Sequence, residues 1–207
     1  MKITGNILGD MVGQLGKKIV AFQWKGIDCF RSYVVPANPN TLEQQAQRTL
    51  FAGVVALAVM FLDAIINVYW NKFAVKMTSF NAFIKYNLKS MTSSTDFDKI
   101  IMTKGALHIG AISSCGAVSA NVVIEFDPSL SGSGKADDNV MAAVFDEDTF
   151  SLYLAAAAVE RSTGTITVPV YQGFSAAKCH AYLWAYRDLG TPAEDVSNSL
   201  YSAVTPE

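Results

Sequence analysis

Residues 17–51 read KKIVAFQWKGIDCFRSYVVPANPNTLEQQAQRTLF, and the period of the chain changes within them. Ile19, Ala21 and Gln23 alternate with Val20, Phe22 and Trp24, the two-residue period of a strand. Lys25-Gly26 is a turn signal, and Ile27 to Val35 resumes an extended, aromatic-rich run, so a β-hairpin is predicted with its turn at Lys25-Gly26. A two-stranded hairpin is marginal in water and must pack on its own chain or on another. Pro36 and Pro39 then stop the strand. Thr41-Leu-Glu-Gln44 matches a capping box, in which hydroxyl and amide side chains satisfy each other's backbone N–H groups, so a helix is predicted from Leu42.

That helix becomes apolar on every side from Leu50 to Leu62, LFAGVVALAVMFL, and such a segment needs cover all round. Thirteen residues reach about 20 Å as a helix, against roughly 30 Å of bilayer hydrocarbon. Extending to Trp70 would carry Asp63 and Asn67 into the bilayer, so a buried helix is expected and no membrane span. A second helix is predicted over Thr78–Leu88, with Phe80, Phe83, Ile84 and Leu88 on one face and Asn81 and Lys85 on the other. Met91 to Asp98, rich in Ser and Thr, reads as a linker.

Beyond it lie seven candidate strands: Ala106–Ile112, Ala120–Phe126, Asn139–Phe145, Leu152–Val159, Thr165–Val170, His180–Tyr186 and Val196–Tyr201. Turn signals separate them, among them Asp127-Pro128, Ser131-Gly-Ser-Gly134, Ser162-Thr-Gly164 and Gln172-Gly173. Short strands at this spacing predict an immunoglobulin-like sandwich. The expected fold is therefore α+β: residues 1–98 as a glycine-rich arm, β-hairpin and helical hairpin, and residues 99–207 as a seven-stranded β-sandwich.

The charges divide along the same line. Met1 to Lys104 carries 12 Lys/Arg against 6 Asp/Glu, a net of +6; Gly105 to Glu207 carries 4 against 12, a net of −8. Acidic stretches such as Asp137-Asp138 read first as solvated turns; the sharper reading is that opposite polarity in the two halves favours head-to-tail contacts between copies. Only 16% of residues are charged and 51% are apolar, which excludes disorder and implies that surface is buried, in part against other subunits. Gly5, Gly9, Gly13 and Gly16 interrupt the start, so no secretory signal is read there. Cys29, Cys115 and Cys179 are odd in number, lack CxxC spacing and read as reduced.

Catalytic patterns are missing. His108 and His180 sit in apolar, strand-like runs, where a structural histidine is expected instead of a triad member. With three scattered cysteines they make no metal set. Gly132-Ser-Gly-Lys135 lacks the first glycine and the Ser/Thr of a phosphate loop, so it reads as a turn. Asp146, Glu147 and Asp148 read as a solvated turn, and Tyr182, Trp184 and Tyr186 as core before sugar platform. The +6 of the N-terminal half is too dilute for a nucleic-acid footprint.

The ordered features resemble a family of uncharacterised proteins of about this size found in bacterial and phage genomes. The early glycines, Trp24-Lys25-Gly26, Arg31-Ser32, Asn38-Pro39-Asn-Thr41, Gln47-Arg48, Thr78-Ser-Phe-Asn-Ala-Phe83 and Ser197-Asn198-Ser199-Leu-Tyr201 carry the resemblance. Similar NPNT–Gln-Arg helical starts occur in phage structural proteins. The resemblance implies no activity, substrate, cofactor or catalytic residue.

The combined expectation is a non-enzymatic subunit of a multi-subunit assembly, a virion component made in the cytoplasm and incorporated into a phage-like particle. Its partners would be copies of itself and other particle subunits, with no small-molecule substrate, cofactor, metal, nucleic acid or membrane span. The expected interface residues are Phe22, Trp24, Phe30, Tyr33, Phe51, Val55, Val59 and Leu62. The alternative is a glycan- or peptide-binding module built on the sandwich.

Overall fold

The computed structural model describes residues 13–35, 40–129, 132–191 and 194–206. The glycines at 5 and 9, Pro36, Asn38 and Pro39 lie outside them. The chain forms two compact units, Met1–Leu42 and Glu43–Glu207. The boundary read near residue 98 thus falls inside the second unit.

In the first unit, β1 (Gly13–Leu15), β2 (Ile19–Trp24) and β3 (Ile27–Ser32) form an antiparallel sheet in sequence order. The predicted hairpin is there, enlarged by β1. Lys25 and Gly26 both take positive φ, 50° and 76°, the two-residue turn whose twist matches that of antiparallel strands. Trp24 pairs with Ile27, Phe22 with Cys29, and Ala21 with Phe30. Tyr33 N–H donates to the Lys18 carbonyl at 2.8 Å and extends the ladder.

The second unit opens with helix α1 (Leu42–Met60), as the Thr41 start predicts. Leu50, Val54, Leu57, Ala58 and Phe61 recur at helical spacing and are buried. The apolar run is therefore covered along one face, not all round. A π turn over Leu62–Ile66 follows, with Ile66 N–H reaching back to the Phe61 carbonyl at 3.0 Å. The chain bends by 69° there, into α2 (Asn67–Tyr69). The extra residue in that turn lets Phe61, Ile65, Ile66, Tyr69 and Trp70 all reach the interior. Helix α3 (Ser79–Ser90) starts where Thr78 accepts the Asn81 N–H at 3.2 Å on its hydroxyl.

The remaining chain forms nine strands among the described residues. Strands β4 (Ile112–Val118), β5 (Asn121–Phe126) and β9 (Thr165–Pro169) make a three-stranded sheet in the order β4-β5-β9. Strands β6 (Asn139–Asp146), β7 (Ser151–Leu154), β8 (Val159–Glu160), β10 (Cys179–Arg187), β11 (Asp195–Val196) and β12 (Leu200–Ala203) make the other. β6 and β10 pair at its centre over eight residues, from Cys179↔Asp146 to Tyr186↔Asn139.

Alternation on these two central strands builds two cores. Val140, Ala142, Val144, Ala181, Leu183 and Ala185 face Val122, Ile124, Ile166 and Val168 of the small sheet. Ala143, Phe145, Tyr182 and Trp184 face Phe61, Ile65, Tyr69 and Phe83 of the helices. The unit is thus layered helix, sheet, sheet, and both faces of the larger sheet are buried.

The α+β class holds, but the predicted seven-stranded sandwich needs correction in three places. Of the expected Ala106–Ile112 strand only Ile112 is in one, and Leu107 makes an isolated bridge to Ser197. Gly105 and Gly110 lie so close to the Val196 and Asp127 carbonyls that a Cβ would fall 1.7 and 2.0 Å from the oxygens, and this stretch packs as irregular chain. The strand comes later, as β4, in a Ser-Ser-Cys-Gly run with little β propensity of its own. Leu152–Val159 is broken into β7 and β8, and Val196–Tyr201 into β11 and β12.

The second break is built by side chains. Ser197 Oγ accepts the Ala185 N–H at 2.9 Å, and Thr103 Oγ1 donates to the Ser197 carbonyl at 3.0 Å. Asn198 Oδ1 accepts the Gly105 N–H, and Ser199 Oγ the Met102 N–H. The Ser-Asn-Ser triplet therefore fastens residues 102–105 beside β10.

Candidate functional site

The predicted interface residues fall on two surfaces, one in each unit. On the hairpin, the strand period and the register put Val20, Phe22 and Trp24 on one face with Ile27, Cys29 and Arg31. Trp24 is 48% exposed and Phe22 37%, with Ile27 similar. Two cations lie against these rings: Lys25 Nζ is 5.4 Å from the Trp24 centroid and the Arg31 guanidinium 5.9 Å from that of Phe22. Phe30 belongs to the opposite face, with Ala21 and Gln23, and is half-buried, as is Tyr33. By the same alternation Tyr33, opposite Lys18, shares the Phe22 and Trp24 face, so the hairpin brings together three of the four expected residues and leaves Phe30 on the other side.

In the second unit, Phe51, Val55 and Val59 recur at helical spacing along α1 and, with Leu62 of the π turn, form one stripe. Phe51 is 49% and Val59 62% exposed; Val55 and Leu62 are half-buried, their inner edges on the helix–sheet core. The stripe runs into an open groove between the end of α1 and the start of α3, lined by Val59, Leu62, Ala74, Met77 and Phe80. A contiguous uncovered apolar surface of this kind marks a protein contact more often than a scatter of single residues does. The groove was not legible beforehand, because Ala74 and Met77 sit in a connection with no periodicity.

A smaller cavity of about 270 Å³ lies beside β11, walled by Tyr69, Phe73, Ala106 and Val196, with Lys72, Lys104, Glu194 and Asp195 around it. Burial pushes the Tyr69 phenol up to about 12. Lys72 Nζ donates to the Glu194 carbonyl at 3.1 Å, and Lys104 Nζ stands 4.8 Å from the Tyr86 ring centroid. The cavity holds opposite charges that offset each other and no nucleophile with a base beside it.

Compared with known families, residues 10–203 match the model of a family of unknown function. The chain belongs to DUF6266. No curated protein and no solved structure matches it. The match agrees with the resemblance as far as an uncharacterised family spanning nearly the whole chain, and it says nothing of phage particles.

The titratable groups of this DUF6266 chain are mostly structural. Asp138 and Arg161 are fully buried, with Arg161 Nη2 3.3 Å from Asp138 Oδ2. Arg187 Nε donates to Asp138 Oδ1 at 2.6 Å, and the Lys135 N–H to Oδ2 at 2.7 Å. Arg161 Nη2 also donates to the His108 carbonyl, and Arg187 Nη2 to that of Ser133. The Gly132–Lys135 loop is therefore a turn tied down by two guanidinium groups, as its incomplete phosphate-loop pattern suggested. Nothing in the sequence marked Asp138, Arg161 or Arg187, since each reads locally as an ordinary surface charge.

His180 lies between the Phe97, Phe145 and Tyr201 rings, with Nδ1 3.1 Å from the Tyr201 hydroxyl and Nε2 3.9 Å from Glu147. Burial lowers its pKa, against the raising effect of Glu147. No nucleophilic side chain completes a triad with it among these contacts. Cys29, Cys115 and Cys179 are all free thiols. Burial pushes Cys115 up to about 11 and Cys179 up to about 12, so neither is a reactive thiolate at neutral pH. No cluster of three or more metal-ligating side chains occurs among the described residues, and no single helix among them is long and apolar enough to cross a membrane.

Proposed function

We propose that this chain is a non-enzymatic structural subunit that self-associates, with α1 and its groove as the contact. The observation carrying the reading is the Phe51–Val55–Val59–Leu62 stripe, which leaves Phe51 and Val59 exposed and runs into an apolar groove, beside the buried face of the same helix. A helix apolar on both faces satisfies one face with its own core and keeps the other for a partner. A glycan- or peptide-binding module would present Tyr171, Phe174 or Trp184; Tyr171 is exposed, Phe174 half-buried and Trp184 in the core, and the α1 stripe makes assembly the preferred reading. A phage head or tail as the setting rests on the resemblance of the NPNT–Gln-Arg start alone.

The test is light scattering coupled to size-exclusion chromatography on the full chain, with Phe51→Asp and Val59→Asp beside it. Both side chains are exposed, so the variants keep the wild-type melting curve. A carboxylate buried in an apolar contact weakens association by at least about tenfold, ~1.4 kcal/mol. A wild-type chain that stays monomeric at micromolar concentration, or variants that assemble as it does, would remove this proposal.

A further inference from the structure

The hairpin face is unlike the α1 stripe, because it combines exposed rings with net charge. Lys17, Lys18, Lys25 and Arg31 stand against Asp28 in residues 13–35, a net of +3. Two of these cations are held at the rings of Trp24 and Phe22, on the same face as Val20 and Ile27. A surface of this kind fits a partner offering apolar area and negative charge together. Either property alone would leave half the face unmatched: a bare carboxylate patch would not cover the rings, and a neutral apolar patch would desolvate the cations.

The second unit has such a surface at the end of its larger sheet, where residues 147–150 join β6 to β7. Asp146 is buried there, its carboxylate accepting the Asp148 N–H at 3.0 Å and the Thr149 hydroxyl at 2.6 Å. These bonds turn Asp148 and Phe150 outward. Phe150 takes φ of 49° and is 48% exposed, with its ring edge-on to Phe145 at 5.5 Å. Tyr171 is exposed near Asp146, and partial desolvation first and then that carboxylate raise its phenol pKa.

Asp98 belongs to the same end, since the adjoining Phe97 ring lies 4.8 Å from that of His180, whose Nε2 is 3.9 Å from Glu147. Asp96, Asp98, Asp146, Glu147 and Asp148 stand with two cations, Lys99, which is 2.9 Å from Asp96, and Lys178, which is 3.3 Å from Glu147; the net is −3. By contrast, the acids at Glu194 and Asp195 have Lys72 and Lys104 around the same cavity and leave little net charge to read.

We infer that the Phe22/Trp24/Ile27 face of one copy docks on the Glu147–Phe150 end of another copy, rings against rings and cations against carboxylates. This rests on the self-association proposed above and names a second contact for it. The two surfaces differ, so the contact is heterologous. Each copy then has one free hairpin and one free acidic end, and copies add head to tail until a ring closes or a filament grows.

Charge reversal on the full-length protein tests it. Lys25→Glu/Arg31→Glu and Glu147→Lys/Asp148→Lys are each expected to weaken assembly by roughly tenfold or more in sedimentation or light scattering. Circular dichroism melting of both variants, and of Asp148→Lys alone at an exposed position, separates lost contact from lost folding. Mixing the two reversed variants in equal amounts is expected to restore wild-type assembly, because each acidic hairpin then meets a basic end. Wild-type assembly should also weaken in about 1 M salt, where screening acts within ~3 Å.

Reversed variants that assemble like wild type, or a mixture no larger than its components, would overturn the docking while leaving the α1 contact standing. Lost binding of a single-stranded oligonucleotide by Lys25→Glu/Arg31→Glu, with assembly unchanged, would equally overturn it in favour of a nucleic-acid face. A wild-type chain that is monomeric under all conditions would remove both readings together.

Discussion

Strand β2 carries Val20, Phe22 and Trp24 on one face, and β10 carries Tyr182, Trp184 and Tyr186 on one face, yet Trp24 is half exposed while Trp184 is completely buried. Both strands are central in their sheets, with a neighbour on each side. The difference lies in what the sheets can recruit. β10 alternates large rings with Ala181, Leu183 and Ala185, so each face has an apolar layer to meet: helices on one side, the small sheet on the other. β2 alternates its rings with Ala21 and Gln23, in a sheet of three short strands. A pattern of aromatics on a strand thus specifies a face that wants cover, and the rest of the chain decides whether the cover is internal.

Substitutions can break or sharpen that contrast. The largest effect is expected from Trp184→Ala, which leaves a ring-sized cavity between helices and sheet. Urea unfolding should show a loss of about 3–5 kcal/mol. Asn87→Ala comes next. The Asn87 amide donates to the Phe83 and Ile101 carbonyls at 3.1 and 3.2 Å and accepts the Ile101 N–H at 2.8 Å, so its loss orphans buried backbone groups. About 2–3 kcal/mol is expected in the same measurement.

Smaller still is a pH effect from His180. Burial lowers its folded pKa below the ordinary 6.5, so the unfolded chain binds the extra proton more readily. The stability this contributes is full above that value and is lost as pH falls through 6.5 towards the lowered folded pKa. Melting temperatures recorded between neutral and mildly acidic pH should fall, and His180→Phe should flatten the slope. The smallest effect on stability belongs to Trp24→Ala, under about 0.5 kcal/mol, because that ring is already wet. If Trp24→Ala cost as much as Trp184→Ala, the contrast between the two strands would collapse.

Much of the architecture was legible in local pattern. β5, β6, β9 and β10 follow from their strand-like runs, the Lys25-Gly26 turn from its backbone demand, and α3 from the Phe80, Phe83, Ile84 and Leu88 face. β4 was not legible, because Ser113, Ser114 and Gly116 have no strand preference and gain one only by pairing with β5. The break at Ser197–Ser199 was likewise hidden, since its three side chains bond to backbone groups around residues 102–105 and 185. Of the expected contact residues, Phe22, Trp24, Phe51 and Val59 are exposed, whereas Phe30, Tyr33, Val55 and Leu62 are half-buried. Periodicity names a face and does not say how deeply it lies.

The sequence by itself determined the hairpin, the two main helices and the strands with clear periodicity, and which of their side chains share a face, because those follow from backbone preference and from periods of 2 and 3.6 residues. Only the tertiary structure decided that the larger sheet has two buried faces, that Arg161 and Asp138 are interior, and that α1 keeps an apolar stripe partly exposed beside a groove. Burial is a property of what lies opposite, and residues far apart in the chain supply it.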